Sequence, residues 1–180
     1  MKKSILILLI LVTATISAYS SFIQFGPTGT IDNVDIRCED VLDDLKHLGN
    51  RIGAEGRINI LHVAAHVSAF YIPATATQDK LFNTSLYTIV NFDINDTLSF
   101  GFGPGLNYDL DIKALPEDYK EVILNSNFEF KTHVTYQIDD SAISAYYVLP
   151  SNYVFAGGMP KDGVIAWNNG YIGLSLLLGF

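Results

Sequence analysis

The sequence predicts an all-β chain: a closed antiparallel transmembrane β-barrel of eight strands, with short periplasmic turns and longer extracellular loops. Three observations carry this reading. Apolar residues alternate with small or polar ones at period two along most of the chain after its N-terminal segment. Apolar residues make up 49% of the chain and charged ones only 17%, against about 25% charged in soluble domains. Yet beyond the N-terminal segment no apolar run approaches the ~20 residues of a membrane-spanning helix. Only helices and closed barrels satisfy every backbone group in hydrocarbon, so an apolar chain without such helices points to strands.

The N-terminus reads as a secretory signal peptide, residues 1–20. Met1-Lys2-Lys3 supplies the basic start, Ile5 to Val12 a short apolar core, and Ala14, Ser17, Ala18 and Ser20 the small residues of a cleavage site after Ser20. No cysteine stands at that cut, so a lipoprotein anchor is not predicted. Residues 21–180 then form one barrel domain. Losing Lys2 and Lys3 leaves 9 basic against 19 acidic residues, a net charge of −10. Nucleic acid is excluded as a partner, because its phosphates require a positive surface. Cys38 is the single cysteine, so no internal disulfide can form.

The strands follow in order. The first, Phe22 to Ile31, is interrupted by Pro27. The second sets Ile52, Ala54, Gly56 and Ile58 against Gly53, Glu55, Arg57 and Asn59. The third sets Val63, Ala65, Val67 and Ala69 against His62, Ala64, His66 and Ser68. In the fourth, Leu86, Thr88, Val90, Phe92 and Ile94 oppose Tyr87, Ile89, Asn91 and Asp93. The fifth has Leu98, Phe100 and Phe102 facing one way and Thr97, Ser99, Gly101 and Gly103 the other. Pro104 follows where pairing should continue, which implies a bulge, an early stop or a shorter strand. The sixth alternates from Phe128 to Ile138, with Glu129, Lys131, His133, Thr135 and Gln137 on its polar face. In the seventh, Ile143, Ala145, Tyr147 and Leu149 oppose Ser144, Tyr146 and Val148. The last places Ile172, Leu174, Leu176, Leu178 and Phe180 on one face.

Connection lengths alternate as well. Tight joints fall near Ile60-Leu61, Asn95-Asp96 and Asp139-Asp140-Ser141; longer polar stretches fall near 32–49, 73–84, 109–123 and 150–167. Eight strands with both termini on the periplasmic side put every long connection outside. Helical signals occur in two of these stretches, Asp40 to Gly49 and Pro116-Glu117-Asp118.

Alternation does not say which face is wet, but composition does. A soluble surface would be rich in Lys and Glu. Here the polar face is mostly Gly, Ser, Asn and Thr, which suits the narrow, side-chain-filled interior of eight strands. The apolar face carries the large residues and is predicted to meet lipid.

The ending Tyr171-Ile172-Gly173-Leu174-Ser175-Leu176-Leu177-Leu178-Gly179-Phe180 resembles the closing strand of bacterial outer-membrane proteins. The mature chain is similar in length and layout to the small OmpA/OmpX-like barrels. That resemblance implies a cell outer membrane location, with outer-membrane lipid, lipopolysaccharide and the assembly machinery as partners. It also implies that Ile172, Leu174, Leu176, Leu178 and Phe180 serve as an assembly signal.

The inward face gathers Glu55, Arg57, His62, His66, Asp93, Glu129, Lys131 and His133, a lumen network in which buried charges must find partners. His66-Val67-Ser68 is similar to the His-x-Ser of outer-membrane lipid A deacylases, where His activates a nucleophilic Ser. Their pattern continues with Asn, however. Here Ala69 stands in that place, and no acid is placed to orient His66. No catalytic residue is assigned. His62 and His66 share a face without a third ligand, so neither a metal site nor a cofactor is predicted. The acidic runs Glu39 to Asp44 and Asp109-Leu110-Asp111 read as solvated loop charge, or as ligands for divalent cations bridging lipopolysaccharide. The expectation is a non-enzymatic barrel with a structural, surface or adhesion role. The alternatives are a narrow channel, a lipid A-modifying enzyme and a soluble periplasmic lipocalin-like binder.

Overall fold

The structure, a computed structural model, describes residues 22–34, 50–72, 81–110, 122, 126–154 and 170–180. The predicted signal peptide, residues 1–20, Cys38, the acidic run 39–44, Asp111 and both predicted helical signals, 40–49 and 116–118, lie outside the described residues.

Eight strands form one closed antiparallel barrel: β1 Ile23–Val34, β2 Asn50–Ile60, β3 Val63–Ile72, β4 Leu81–Asp93, β5 Leu98–Leu110, β6 Asn127–Ile138, β7 Ser141–Val154 and β8 Gly170–Gly179. Each strand pairs with its sequence neighbours, and β8 closes on β1 through pairs such as Thr28↔Ser175 and Gln24↔Gly179. The architecture is the predicted one. Closure removes the exposed edges that an open sheet would leave.

Burial alternates along each strand at period two, because successive side chains point to opposite faces. The sense is inverted relative to a soluble barrel. Glu55, Lys131, His66, Ser144 and Ser175 are buried inside, while Ile52, Val67, Leu86, Leu174, Leu176 and Leu178 stand exposed outside. Phe102 and Phe130 are 37% and 36% exposed on that outer face, and Phe100 and Phe128 share their strand parity. Phe92, Phe100 and Phe130 surround Phe102 at ring separations of 5.7, 5.9 and 6.0 Å, a continuous aromatic patch on the outside.

Several strands exceed their predicted lengths. β1 runs unbroken through Pro27, and β5 continues through Pro104 to Leu110 with no bulge and no early stop. Each proline is accommodated by losing contact on one side only. The β5–β6 ladder is continuous through Pro104↔Phe130. The β4–β5 ladder is interrupted between Tyr87↔Gly105 and Val90↔Phe102 without a change of register. Pro27 behaves alike, paired with Ala54 on β2 while the β1–β8 ladder skips from Phe25↔Leu178 to Thr28↔Ser175. The missing N–H therefore removes one rung and leaves the strand intact. Pro150 differs: the β6–β7 register shifts between Asn127 and Glu129, opposite the Pro150–Val154 end of β7.

Three tight turns, the start of β1 and the end of β8 lie together at one end of the barrel. Leu61-His62 joins β2 to β3 and Asp139-Asp140 joins β6 to β7, each opening on a residue of positive φ, 56° at Leu61 and 49° at Asp139. Such values match two-residue hairpin turns, whose twist follows that of the strands. Between β4 and β5, Asn95 Oδ1 accepts from the backbone N–H groups of Thr97 and Leu98 at 2.9 and 2.8 Å, closing the loop locally. At the same end Phe180 N–H donates to Ile23 C=O at 2.8 Å.

Candidate functional site

Inward-pointing side chains fill the barrel and stack in layers. At the short-turn end Gln24 Nε2 donates to Gln137 Oε1 at 3.2 Å, beside a small vestibule of about 60 Å³. Its lining includes Arg57, Asn59, Asn91, Asp93 and His133. The inner wall is fixed by His133, whose Nε2 lies 3.0 Å from Asn91 Oδ1 and whose Nδ1 lies 2.9 Å from Thr135 Oγ1. Gly101 makes room for that contact, since a Cβ there would stand 2.3 Å from both His133 Nε2 and Asn91 Oδ1.

The next layer is ionic. Glu55 and Arg57 sit two residues apart on β2 and so share the inner face; Lys131 reaches them from β6 across the bore. Three basic nitrogens surround one oxygen, Glu55 Oε1: Arg57 Nε at 2.7 Å, Lys131 Nζ at 3.1 Å and His66 Nδ1 at 3.4 Å. The other oxygen, Oε2, accepts from Ser175 Oγ at 2.8 Å. Arg57 Nη1 donates to Thr135 Oγ1 at 2.9 Å, and Lys131 Nζ stands 4.1 Å from the centre of the Tyr146 ring. Tyr146 Oη in turn lies 2.8 Å from Thr28 Oγ1. No member of the triad Glu55, Arg57 and Lys131 is more than 2% exposed, so the bore is closed here.

Towards the long-connection end, Glu129 Oε2 accepts from Tyr87 Oη at 2.5 Å and Tyr171 Oη at 3.0 Å. The Arg51 guanidinium lies 5.0 Å from the centre of the Tyr171 ring. Beyond it Asn83 and Asn107 exchange side-chain hydrogen bonds at 2.6 and 2.8 Å, and Asn83 Nδ2 also donates to Asp109 Oδ1 at 2.7 Å.

Of the residues singled out in the sequence, Glu55, Arg57, His66, Glu129, Lys131 and His133 come together inside the barrel. His62 does not join them: β3 begins one residue later, at Val63, and His62 is exposed in the turn after β2. Asp93 is exposed at the vestibule mouth, because β4 ends there and its side chain reaches water. Of the residues expected to form an assembly signal, Leu174, Leu176 and Leu178 are exposed on the outer face, and Phe180 is 80% exposed at its end.

The tyrosines 87, 146 and 171 were not singled out beforehand, nor were Thr28, Ser175, Asn83 or Asn107. All share the strand parity of the ionic groups they contact. Parity alone would have found them, had neutral hydrogen-bonding side chains been weighed with the charged ones.

His66 and Ser68 both point into the sealed interior and are at most 1% exposed. Ser68 Oγ has no hydrogen-bond partner within the protein, so His66 does not activate it. Among the described residues no three His, Cys, Asp or Glu side chains are grouped to hold a metal. No helix there is long and apolar enough to cross a membrane, which leaves strands as the only described elements that could. No family model matches the chain, and no curated protein matches it either.

Proposed function

We propose that this protein is a non-enzymatic integral barrel of the cell outer membrane, which holds its long connections at the surface for a structural, adhesive or interaction role. One observation carries the reading: the barrel wall exposes a shell of large apolar side chains on its outside while Glu55, Arg57, Glu129 and Lys131 are buried inside. A shell of Ile52, Val67, Leu86, Leu174, Leu176 and Leu178 facing water would be a large exposed apolar surface, which soluble monomers avoid. In a bilayer the same shell is solvated by lipid tails, and closure leaves no unpaired strand edge. Strands of 10 to 14 residues suit the task, since a tilted spanning strand needs about 9–11. Outer-membrane lipid, lipopolysaccharide and the assembly machinery are the partners this reading entails.

The filled centre argues for a scaffold over a conduit. Glu55, Arg57 and Lys131 would have to separate before any solute passed. A soluble lipocalin-like binder would need an open apolar calyx, and the interior here is filled and holds the buried charges of Glu55, Arg57, Glu129 and Lys131. An acyl-transfer or deacylation role would need a nucleophile that substrate can reach, and Ser68 lies sealed inside.

The test is fractionation with detergent, followed by electrophoresis with and without boiling. The proposal expects the protein in the outer-membrane fraction, with a mobility shift on heating. Release by osmotic shock without detergent, with no heat-dependent shift, would refute it. Planar-bilayer recordings at background conductance would separate the scaffold from a channel.

A further inference from the structure

We infer that the barrel consists of two four-stranded halves, β1–β4 and β5–β8, which part along two opposite seams, and that Glu55 and Lys131 form the latch between them. The gaps in those seams belong to the backbone and do not depend on what surrounds the barrel.

The sequence places the seams. β1 carries Phe25-Gly26-Pro27 and β5 carries Phe102-Gly103-Pro104, the same tripeptide on strands that stand opposite each other in a ring of eight. Proline belongs at sheet edges, because it cannot donate to a neighbour, and a closed barrel has no edge. Each proline makes an edge-like place on one side only. Pro27 keeps its partner on β2 and Pro104 its partner on β6, while the ladders to β8 and β4 are interrupted.

The glycine before each proline points the same way. A Cβ on Gly26 would overlap Leu176 C=O on β8, and one on Gly103 would overlap Thr88 C=O on β4. Gly53 meets Ala69 C=O on β3 alike, but there Ala54 follows, and the ladder is unbroken at Ala54↔Ala69. At the two seams a proline follows instead. Leu176 and Thr88 C=O therefore face a glycine Cα, a weaker partner than an N–H.

Both gaps stand at the height of the central ionic layer. Gly26 is paired with Glu55 and Gly103 with Lys131, and Lys131 Nζ lies 3.1 Å from Glu55 Oε1 across the bore. Glu55 belongs to the first half and is held by Lys131 and Ser175 of the second. Arg57 to Thr135 and Thr28 to Tyr146 cross between the halves in the same manner. Where the wall lacks a rung, side chains inside the bore tie the halves together. Local opening favours places with few backbone hydrogen bonds, so parting begins at these gaps. Such an opening leads sideways through the wall, while the layers on either side still close the axis.

The experiment follows amide hydrogen exchange by NMR in the mature chain folded in detergent micelles. Amides along an antiparallel strand bond alternately to its two neighbours, so β1, β4, β5 and β8 each carry their own control. After correction for intrinsic rates, central amides bonded across β8–β1 and β4–β5 should exchange about fivefold faster than those across β2–β3 and β6–β7, the worth of one hydrogen bond. Pro27→Ala should slow exchange at β8–β1 alone, and Pro104→Ala at β4–β5 alone, since each restores one rung. Lys131→Met should quicken both seams and leave β2–β3 and β6–β7 as they were. If that variant does not fold, Ser175→Ala, which removes a tie to Glu55 and no charge, takes its place with the same expectation. Equal protection around the ring would overturn the seams, as would proline variants that slow every ladder alike. A latch variant that quickens all the ladders together would overturn the latch. None of these rates bears on where the protein resides in the cell, so their failure is separate from that of the outer-membrane reading.

Discussion

Tyr87 lies across Gly105, its direct partner on the next strand, so closely that a Cβ on the glycine would stand 2.1 Å from Tyr87 Cδ1. Tyr146 covers Gly173 in the same way, with the corresponding contact to its Cζ at 2.0 Å. The glycines are there for the space they leave. They let each phenol lie flat in a bore only wide enough for side chains, and so reach Glu129 or Thr28. Gly105→Ala must push Tyr87 away from Glu129, and the overpacking should cost about 1–3 kcal/mol. Urea unfolding in micelles measures it; an unchanged midpoint would mean that the ring has room to move.

Glu55 is the one negative charge among Arg57, Lys131 and His66, so its removal leaves buried cations facing each other. Glu55→Ala should lower stability by about 3–5 kcal/mol, the usual result of breaking a buried pair from one side. The triple change Glu55→Leu, Arg57→Met, Lys131→Met removes every partner together and should recover most of that loss. A triple variant no more stable than Glu55→Ala would show that shape, and not charge pairing, sets the cost.

Much of this arrangement was legible in the chain. Period-two alternation located all eight strands, and the small and polar composition of one face told inside from outside. Tight joints were legible from Asn95-Asp96 and Asp139-Asp140. Strand ends were not. Pro27 and Pro104 read as breaks, since a sequence does not say whether a missing N–H points to one neighbour or to the other. His62 has the right parity for the lumen but lies one residue before β3, in a turn that Leu61 makes with a positive φ rare for a leucine. Which charged groups meet is a matter of stagger around the ring. Glu55 and Lys131 belong to strands β2 and β6, across the bore, and alternation within a strand says nothing of height across it.

The outer face can be tested directly. Leu176 is 51% exposed midway along β8, and its inward neighbour Ser175 bonds to Glu55, which places it beside the central layer. In a bilayer Leu176→Arg should lower stability by about 2–4 kcal/mol, the cost of a cation near the hydrocarbon midplane. A control at the short-turn end, Ile60→Arg, should cost far less, because a long side chain there can reach the headgroups. Unfolding from lipid vesicles gives both values. Equal, negligible costs would mean that the shell does not meet hydrocarbon.

The C-terminal residue separates folding from delivery. Phe180 projects into the surroundings, while its backbone N–H donates to Ile23 C=O where β8 meets β1. Deleting Phe180 removes one seam hydrogen bond, worth about 1 kcal/mol, so the truncated chain should still refold in micelles. Phe180→Ala keeps that bond and should refold as the unaltered chain does. If the exposed ring is read by the assembly machinery, both variants should nevertheless accumulate poorly as heat-modifiable protein in cells. A defect in the deletion alone would assign the residue to the seam, and normal accumulation of both would remove it from the assembly signal. Because refolding in micelles bypasses the machinery, comparing the two settings tells a lost instruction from a lost contact.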